Sequence, residues 1–210
     1  MMKLFSRYTV KTALRALLFM FTCVLLSLFL GSGSLSDNDW IGWGLFTGFV
    51  IIYIVIAFYD GSDRGARDSQ ISARNERLIE KGHQVEQDAL DRSYDRRKGL
   101  VMAALIAAPG LLLTILSLIT MDQVIVLRAI VRLYFAPFLK LFRADAQPLV
   151  CVASYFLFAL IYPILYYIGY LIGPKQYKKQ TDLIRQNEED YKNGIRRRRK
   201  AHKRRRGLFW

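Results

Sequence analysis

The sequence has few of the side chains that catalysis and metal binding most often use. Among 210 residues there are only two cysteines and two histidines. Cys23 and Cys151 lie in apolar stretches, where a thiol packs as a small hydrophobic side chain. His83 and His202 lie in charged segments and have no companions at metal-ligand spacing. We therefore expect no disulfide framework, no metal site and no cofactor.

The motifs of common enzyme classes are also missing. The chain contains no G-x-x-x-x-G-K-[ST], G-x-S-x-G or H-E-x-x-H. Asp88, Asp91 and Asp95 could form a carboxylate site, but a solvated helix face explains their spacing better. Proton-coupled transporters and intramembrane hydrolases usually need ionisable groups within the membrane, and the cores of the four apolar runs of this chain contain none. These absences predict that the protein is not an enzyme.

Charge and hydrophobicity are separated along the chain, as is typical of membrane proteins. Hydrophobic residues make up 53% of the sequence, yet 31 lysines and arginines give it a formal net charge of +14. A transmembrane helix needs about 20 apolar residues. Four uncharged runs are predicted to span the membrane: 16–30, 41–59, 100–120 and 149–173. The first run is short, and it becomes long enough when Thr12 to Leu14 and a snorkelling Arg15 are included. Pro109 and Pro163 are predicted to kink the third and fourth spans.

The lysines and arginines between these runs predict the orientation, since positively charged segments stay in the cytoplasm. The N-terminal flank carries four, residues 60–99 carry nine and the tail after Gly173 carries fourteen, whereas residues 31–40 carry none. Both termini are therefore predicted to be cytoplasmic, in a bacterial plasma membrane. The stretch before Asp37 contains no acidic residue, and in this respect it resembles an organellar presequence. The mitochondrial inner membrane is therefore the alternative.

The segment 121–143 is predicted to be an amphipathic helix on the outer face. Arg128, Arg132, Lys140 and Arg143 recur at spacings of four, eight and three, which places them on one side of a helix whose other positions are mostly apolar. This pattern is typical of a helix that lies among lipid headgroups, where the four cations would contact anionic lipid or a partner. The alternative, a fifth span, would bury several cations and place the basic tail outside.

The tail ends in a dense basic run, RRRRKAHKRRR, at residues 196–206. Like charges repel and the run has no apolar face, so it is not expected to fold on its own. It is predicted to contact anionic lipid, a protein partner, or RNA phosphate such as that of a ribosome. Its candidate contact residues are Arg196, Arg197, Arg198, Arg199, Lys200, Lys203, Arg204, Arg205 and Arg206.

Two patterns within the spans predict helix packing. Gly44 and Gly48 form a G-x-x-x-G in the second span, which permits close approach of another helix. Tyr155, Tyr162 and Tyr166 fall near one face of the fourth span, where their hydroxyl groups would seek partners inside a bundle or complex.

The sequence as a whole predicts an all-α membrane protein. Its fold class is a bundle of four transmembrane helices with an interfacial amphipathic helix and helical or disordered cytoplasmic basic extensions. Its parts are a flank and first helix pair at 1–59, a charged cytoplasmic loop at 60–99, a second pair at 100–173 and a basic tail at 174–210.

Three functions are compatible with these features. We favour a non-enzymatic accessory or scaffold subunit of a membrane protein complex, because catalytic groups are missing and the cytoplasmic segments are highly charged. The alternatives are a small channel or transporter component that acts as an oligomer, and an enzyme acting on a lipid through the external basic helix.

Overall fold

The computed structural model describes residues 6–31, 40–120, 123–135 and 148–206. Within these ranges the regular structure is all α-helical, which confirms the all-α part of the predicted fold class. The six helices are α1 (Arg7–Gly31), α2 (Trp40–Glu80), α3 (Gln87–Asp91), α4 (Arg96–Ile119), α5 (Ile125–Tyr134) and α6 (Pro148–Arg206).

Three of the helices are long and apolar enough to cross a membrane. The segments are Phe46–Glu80 of α2, Arg96–Ile119 of α4 and Ser154–Glu189 of α6. They overlap most of the second, third and fourth predicted spans, so the chain has helices that could cross a membrane. A fourth span in α1 and an interfacial position for α5 stay predictions.

Helices α2 and α6 pack with their backbones in contact. The contact is made by Gly61 and Gly65 of α2 and by Gly169 and Gly173 of α6. A methyl group built on Gly61 or Gly65 would overlap a backbone carbonyl oxygen of α6, and one built on Gly169 or Gly173 would overlap the backbone of α2. Small residues spaced by four let two helix axes come this close. Side chains larger than hydrogen are therefore excluded at this crossing.

Helix α6 is a single helix of 59 residues that continues well beyond its apolar half. Gly173 and Pro174, which mark the end of the fourth span in the sequence, do not interrupt it. Proline removes one backbone hydrogen bond and thereby frees the carbonyl group of Tyr170. The backbone of Gly65 packs against that carbonyl, so the freed group lies within the helix contact.

The basic run 196–206 is also part of α6. It was not expected to fold on its own, and two physical effects explain why it can continue a helix here. The costly nucleation step has already been made by the preceding turns, and Arg, Lys and Ala are good helix formers. Cations in the last turns also interact favourably with the negative end of the helix dipole.

The core lies between α1, α2, α4 and α6. Helix α1 presents a narrow face of buried small residues, including Thr9, Thr12, Ala13 and Ala16, so it packs closely. Helix α6 contributes fully buried tyrosines to the same core. A second cluster fixes α5 against α6, where the ring of Phe135 stacks on that of Tyr155 at 5.0 Å.

Candidate functional site

A buried polar cluster lies where α1 and α4 begin and where α2 and α6 lose their apolar character. We call it the Asp68 cluster, and its members are Tyr8, Arg64, Asp68, Lys98 and Tyr170. Asp68 is fully buried. Its Oδ1 accepts a hydrogen bond from the Tyr8 hydroxyl at 2.6 Å, and its Oδ2 accepts from Lys98 Nζ and from the Tyr170 hydroxyl, each at 3.0 Å. One carboxylate thus joins α1, α2, α4 and α6.

The ring of Tyr8 is surrounded by cations. Arg64 Cζ lies 4.5 Å and Lys98 Nζ lies 4.6 Å from its centroid, both within the range of cation–π attraction. Arg64 also donates through Nη2 to Thr12 Oγ1 at 2.6 Å, which ties α2 to α1 one turn further along. Burial raises the pKa of the Tyr8 phenol, and the negative charge of Asp68 raises it further. Tyr8 therefore stays protonated and acts as a hydrogen-bond donor.

The turn between α2 and α4 places Lys98 in the cluster. Asn75 donates through Nδ2 to Ser93 Oγ at 2.9 Å, and Ser72 Oγ accepts from the backbone N–H of Tyr94 at 2.8 Å. These bonds fold the chain back along α2, so that α4 starts beside it. Lys98 Nζ then donates both to Asp68 and to the Ser93 carbonyl oxygen at 3.0 Å. Lys98 is only 3% exposed and has two acceptors, which offset part of the loss of water.

Tyr170 reaches Asp68 because the start of α4 leaves room for its ring. A methyl group on Gly99 would overlap the Tyr170 ring. On its other side the ring stacks on Tyr94, with centroids 5.1 Å apart and an interplanar angle of 17°. The hydroxyl group is thereby held in line with Asp68 Oδ2.

This arrangement joins helices. Both oxygens of Asp68 accept hydrogen bonds from protein donors, so within the described residues this carboxylate links the four helices. Among these residues there is also no group of three or more His, Cys, Asp or Glu that could hold a metal ion.

The tyrosines predicted on one face of α6 are buried. Tyr162 and Tyr166 are fully buried in the main core, and Tyr155 lies in the cluster that contacts α5. The hydroxyl of Tyr166 donates to the sulfur of Met102 at 3.6 Å. The same face continues to Tyr170, four residues further on, which sequence reasoning had not placed in this group.

Gly44 and Gly48 lie apart from the glycine contact between α2 and α6. A methyl group on either would meet no atom within 4 Å in the described part of the chain. Their predicted role in helix packing stays a prediction.

The predicted cationic contact residues are only partly described. Arg128 is half-buried and Arg132 is exposed on α5, whereas Lys140 and Arg143 lie outside the described residues. The backbone of the run 196–206 is helical, but its side chains are not described. Their predicted contacts with lipid, protein or RNA stay predictions.

The carboxylates at 88, 91 and 95 have separate surroundings. Asp95 caps α4, where its side chain accepts from the backbone N–H of Arg97 at 2.9 Å. Asp91 Oδ1 accepts from Gln87 Nε2 at 3.2 Å, and Asp88 is exposed. His83 is exposed beyond the end of α2.

Sequence reasoning missed the Asp68 cluster because Asp68 and Lys98 both lie in a strongly charged loop. Nothing in the composition of residues 60–99 distinguishes these two charges from their exposed neighbours. The nearest signal in the sequence is the spacing of Gly61 and Gly65 before Asp68, which permits a close helix crossing but does not show which charge is buried.

Comparison with known proteins finds no match: no family model fits the chain, and no curated protein or solved structure is significantly similar to it.

Proposed function

We propose that the chain is a non-enzymatic accessory or scaffold subunit of a membrane protein complex, with a basic tail that contacts anionic lipid or a partner. The observation that carries this proposal is the continuity of α6. Its apolar half packs inside the bundle, and its polar half extends from the bundle as the same helix. We call residues 174–206 the α6 extension.

The α6 extension has the dimensions and surface of a docking element. Its 33 residues (174–206) measure about 50 Å at 1.5 Å per residue. Its exposed side chains include Leu183, Ile184 and Tyr191 as well as many cations. Large apolar side chains exposed on a polar helix favour a protein partner, because a lipid headgroup or an RNA backbone offers them little contact.

The base of the extension is held firmly. The glycine contact fixes α6 to α2 up to Gly173, and Tyr170 is bonded to the Asp68 cluster. A partner that binds the extension would therefore be positioned relative to the whole bundle, which is what a scaffold subunit must do.

Four spans and a cytoplasmic extension are part of this proposal. Helix α1 has 25 residues, enough to cross the hydrocarbon core, and it exposes apolar side chains such as Leu14 and Leu18. Helix α5 is proposed to lie in the outer interface, because its exposed face carries Ile125, Val126 and Ile130 beside Arg132. The distribution of lysine and arginine supports an inner position for both termini, in a bacterial plasma membrane or the mitochondrial inner membrane.

Affinity purification from native membranes in mild detergent tests the function. We expect a defined set of proteins to co-purify with the full-length chain and to be lost from a truncation after Asn193, because the truncation removes the basic run and leaves the bundle intact. A full-length variant with Leu183→Ser and Ile184→Ser shows whether the apolar part of the extension contributes to capture.

Each result has a defined meaning. If both the full-length chain and the truncation purify without other proteins, the scaffold proposal is wrong. A homo-oligomer of the chain alone would then favour the small channel or transporter, which solute flux in proteoliposomes would test. If ribosomal RNA co-purifies with the full-length chain and is removed by nuclease treatment, RNA is the partner of the basic run.

A further inference from the structure

Exposed cations from three helices lie close to the depth of the Asp68 cluster along the helix axes, apart from the basic run 196–206. We call this set of residues the basic belt. Its members are all exposed: Arg7, Lys11, Arg15, Arg97 and Lys175.

The hydrogen bonds to Asp68 place these residues at similar positions along the helix axes, and we call the position of Asp68 the Asp68 level. Because Tyr8, Lys98 and Tyr170 all bond to Asp68, their three helices are aligned at that carboxylate. At 1.5 Å per residue, all belt residues except Arg15 lie within about 8 Å of this level along the helix axes. Arg15 is about 10 Å away on the apolar side, within reach of a long side chain that extends towards the headgroups.

The surface next to the belt is apolar. On α1, the exposed residues Arg7, Lys11, Leu14 and Leu18 follow one another at spacings of four, three and four, so they form one stripe along the helix. The stripe changes from cations to leucine within about two turns. Leu100, one turn after Arg97, is exposed in the same way on α4. Such a transition is typical of a surface that passes from headgroups into hydrocarbon.

Nearby carboxylates leave the belt with a positive charge. Asp68 is buried and bonded to Lys98, and Asp63 is paired with Arg67 at 3.0 Å. Asp60 is partly buried near Arg15 and Arg64, and Asp95 caps α4 two residues before Arg97, so these carboxylates offset at most two of the five belt cations.

We infer that the basic belt binds the headgroups of anionic phospholipids. The apolar surface that adjoins the belt on α1 and α4 needs hydrocarbon beside it, and the belt cations need phosphate at the same level. A phospholipid leaflet supplies both at this spacing, whereas RNA or a soluble acidic protein supplies only the negative charge. The inference concerns the bundle itself and does not depend on the proposed scaffold function.

Binding of phosphatidylglycerol to the purified full-length chain tests the inference. Native mass spectrometry in mixed micelles counts the bound lipids. The belt variant carries Arg7→Gln, Lys11→Gln and Arg15→Gln. The matched control carries Arg74→Gln, Arg77→Gln and Lys81→Gln, which remove the same charge from exposed positions at and just after the end of α2, about 9 Å or more from the Asp68 level on the side away from the apolar span.

We expect the belt variant to bind phosphatidylglycerol at least about tenfold more weakly, since each cation near a leaflet contributes appreciably. The control should stay within about twofold of the unaltered chain, and binding of phosphatidylcholine should not change in either. If the α1 variant does not fold, Arg97→Gln with Lys175→Gln tests the belt on two other helices. Equal losses in belt variant and control, or no loss in the belt variant, overturn the inference. So does a belt variant that loses affinity for single-stranded RNA and keeps its affinity for phosphatidylglycerol.

Discussion

Replacing Asp68 with asparagine is expected to lower the free energy of unfolding by about 3–5 kcal/mol, the usual cost of breaking a buried ion pair by removing one partner. The substitution preserves the shape of the side chain and removes its charge. Lys98 would then keep a buried ammonium group with no counterion at its 3.0 Å contact. Titration with SDS in mixed micelles, followed by near-ultraviolet circular dichroism of the buried tyrosines, measures the change.

Asp63 provides the matched control for this experiment. It lies on the same helix and pairs with Arg67 at 3.0 Å, but the side chains are 39% and 58% exposed and so remain in contact with water. Asp63→Asn should therefore cost less than about 1 kcal/mol. The double variant Asp68→Asn with Lys98→Met should recover most of the loss, because both buried charges are then absent. A cost for Asp68→Asn no larger than that for Asp63→Asn would contradict the buried cluster.

Replacing Gly65 with leucine is expected to have the second large effect. Even a methyl group at Gly65 overlaps the Tyr170 carbonyl oxygen, and this backbone atom cannot move without separating α2 from α6. Overpacking that side chains can absorb costs about 1–3 kcal/mol. We expect the loss in this case to exceed about 3 kcal/mol, since the backbones themselves must move apart. The same SDS titration measures the loss.

Gly48 is the matched control, on the same helix and in an equally spaced glycine pair. A side chain at Gly48 meets no described atom within 4 Å. Gly48→Leu should leave stability unchanged or raise it slightly, because leucine is the better helix former. If Gly48→Leu instead dissociates an oligomer of the intact chain, the predicted packing role of Gly44 and Gly48 applies between chains. Equal destabilisation by Gly65→Leu and Gly48→Leu would contradict the α2–α6 contact.

The sequence predicted the helical class and the apolar runs well, because long uncharged segments leave few alternatives in a membrane. It identified the glycine pair Gly44 and Gly48, whose packing role stays a prediction, and did not identify the pair that packs against α6. Gly61 and Gly65 have the same spacing, yet they lie among the charged residues of the predicted cytoplasmic loop 60–99. Their partners, Gly169 and Gly173, are more than 100 positions away, and only the fold shows that the two pairs face each other.

The Asp68 cluster could not be predicted for a related reason. Local composition does not show which charge of a polar segment is buried; that depends on the helices that pack against it. Tyr8, Lys98 and Tyr170 come from three different helices and meet at Asp68 only after packing. The extent of α6 was also underestimated, because Gly173 and Pro174 normally end a helix and here lie in a backbone contact that accommodates them.

The location of the two termini tests the account most directly, because the scaffold proposal needs the α6 extension on the inner side, together with the start of α1. Tags at both termini can be exposed to protease in right-side-out and inside-out membrane vesicles. Four spans with α5 in the interface predict that both tags are cleaved in inside-out vesicles and protected in right-side-out vesicles. Tags on opposite sides would contradict the account, since an odd number of spans would place the basic run outside.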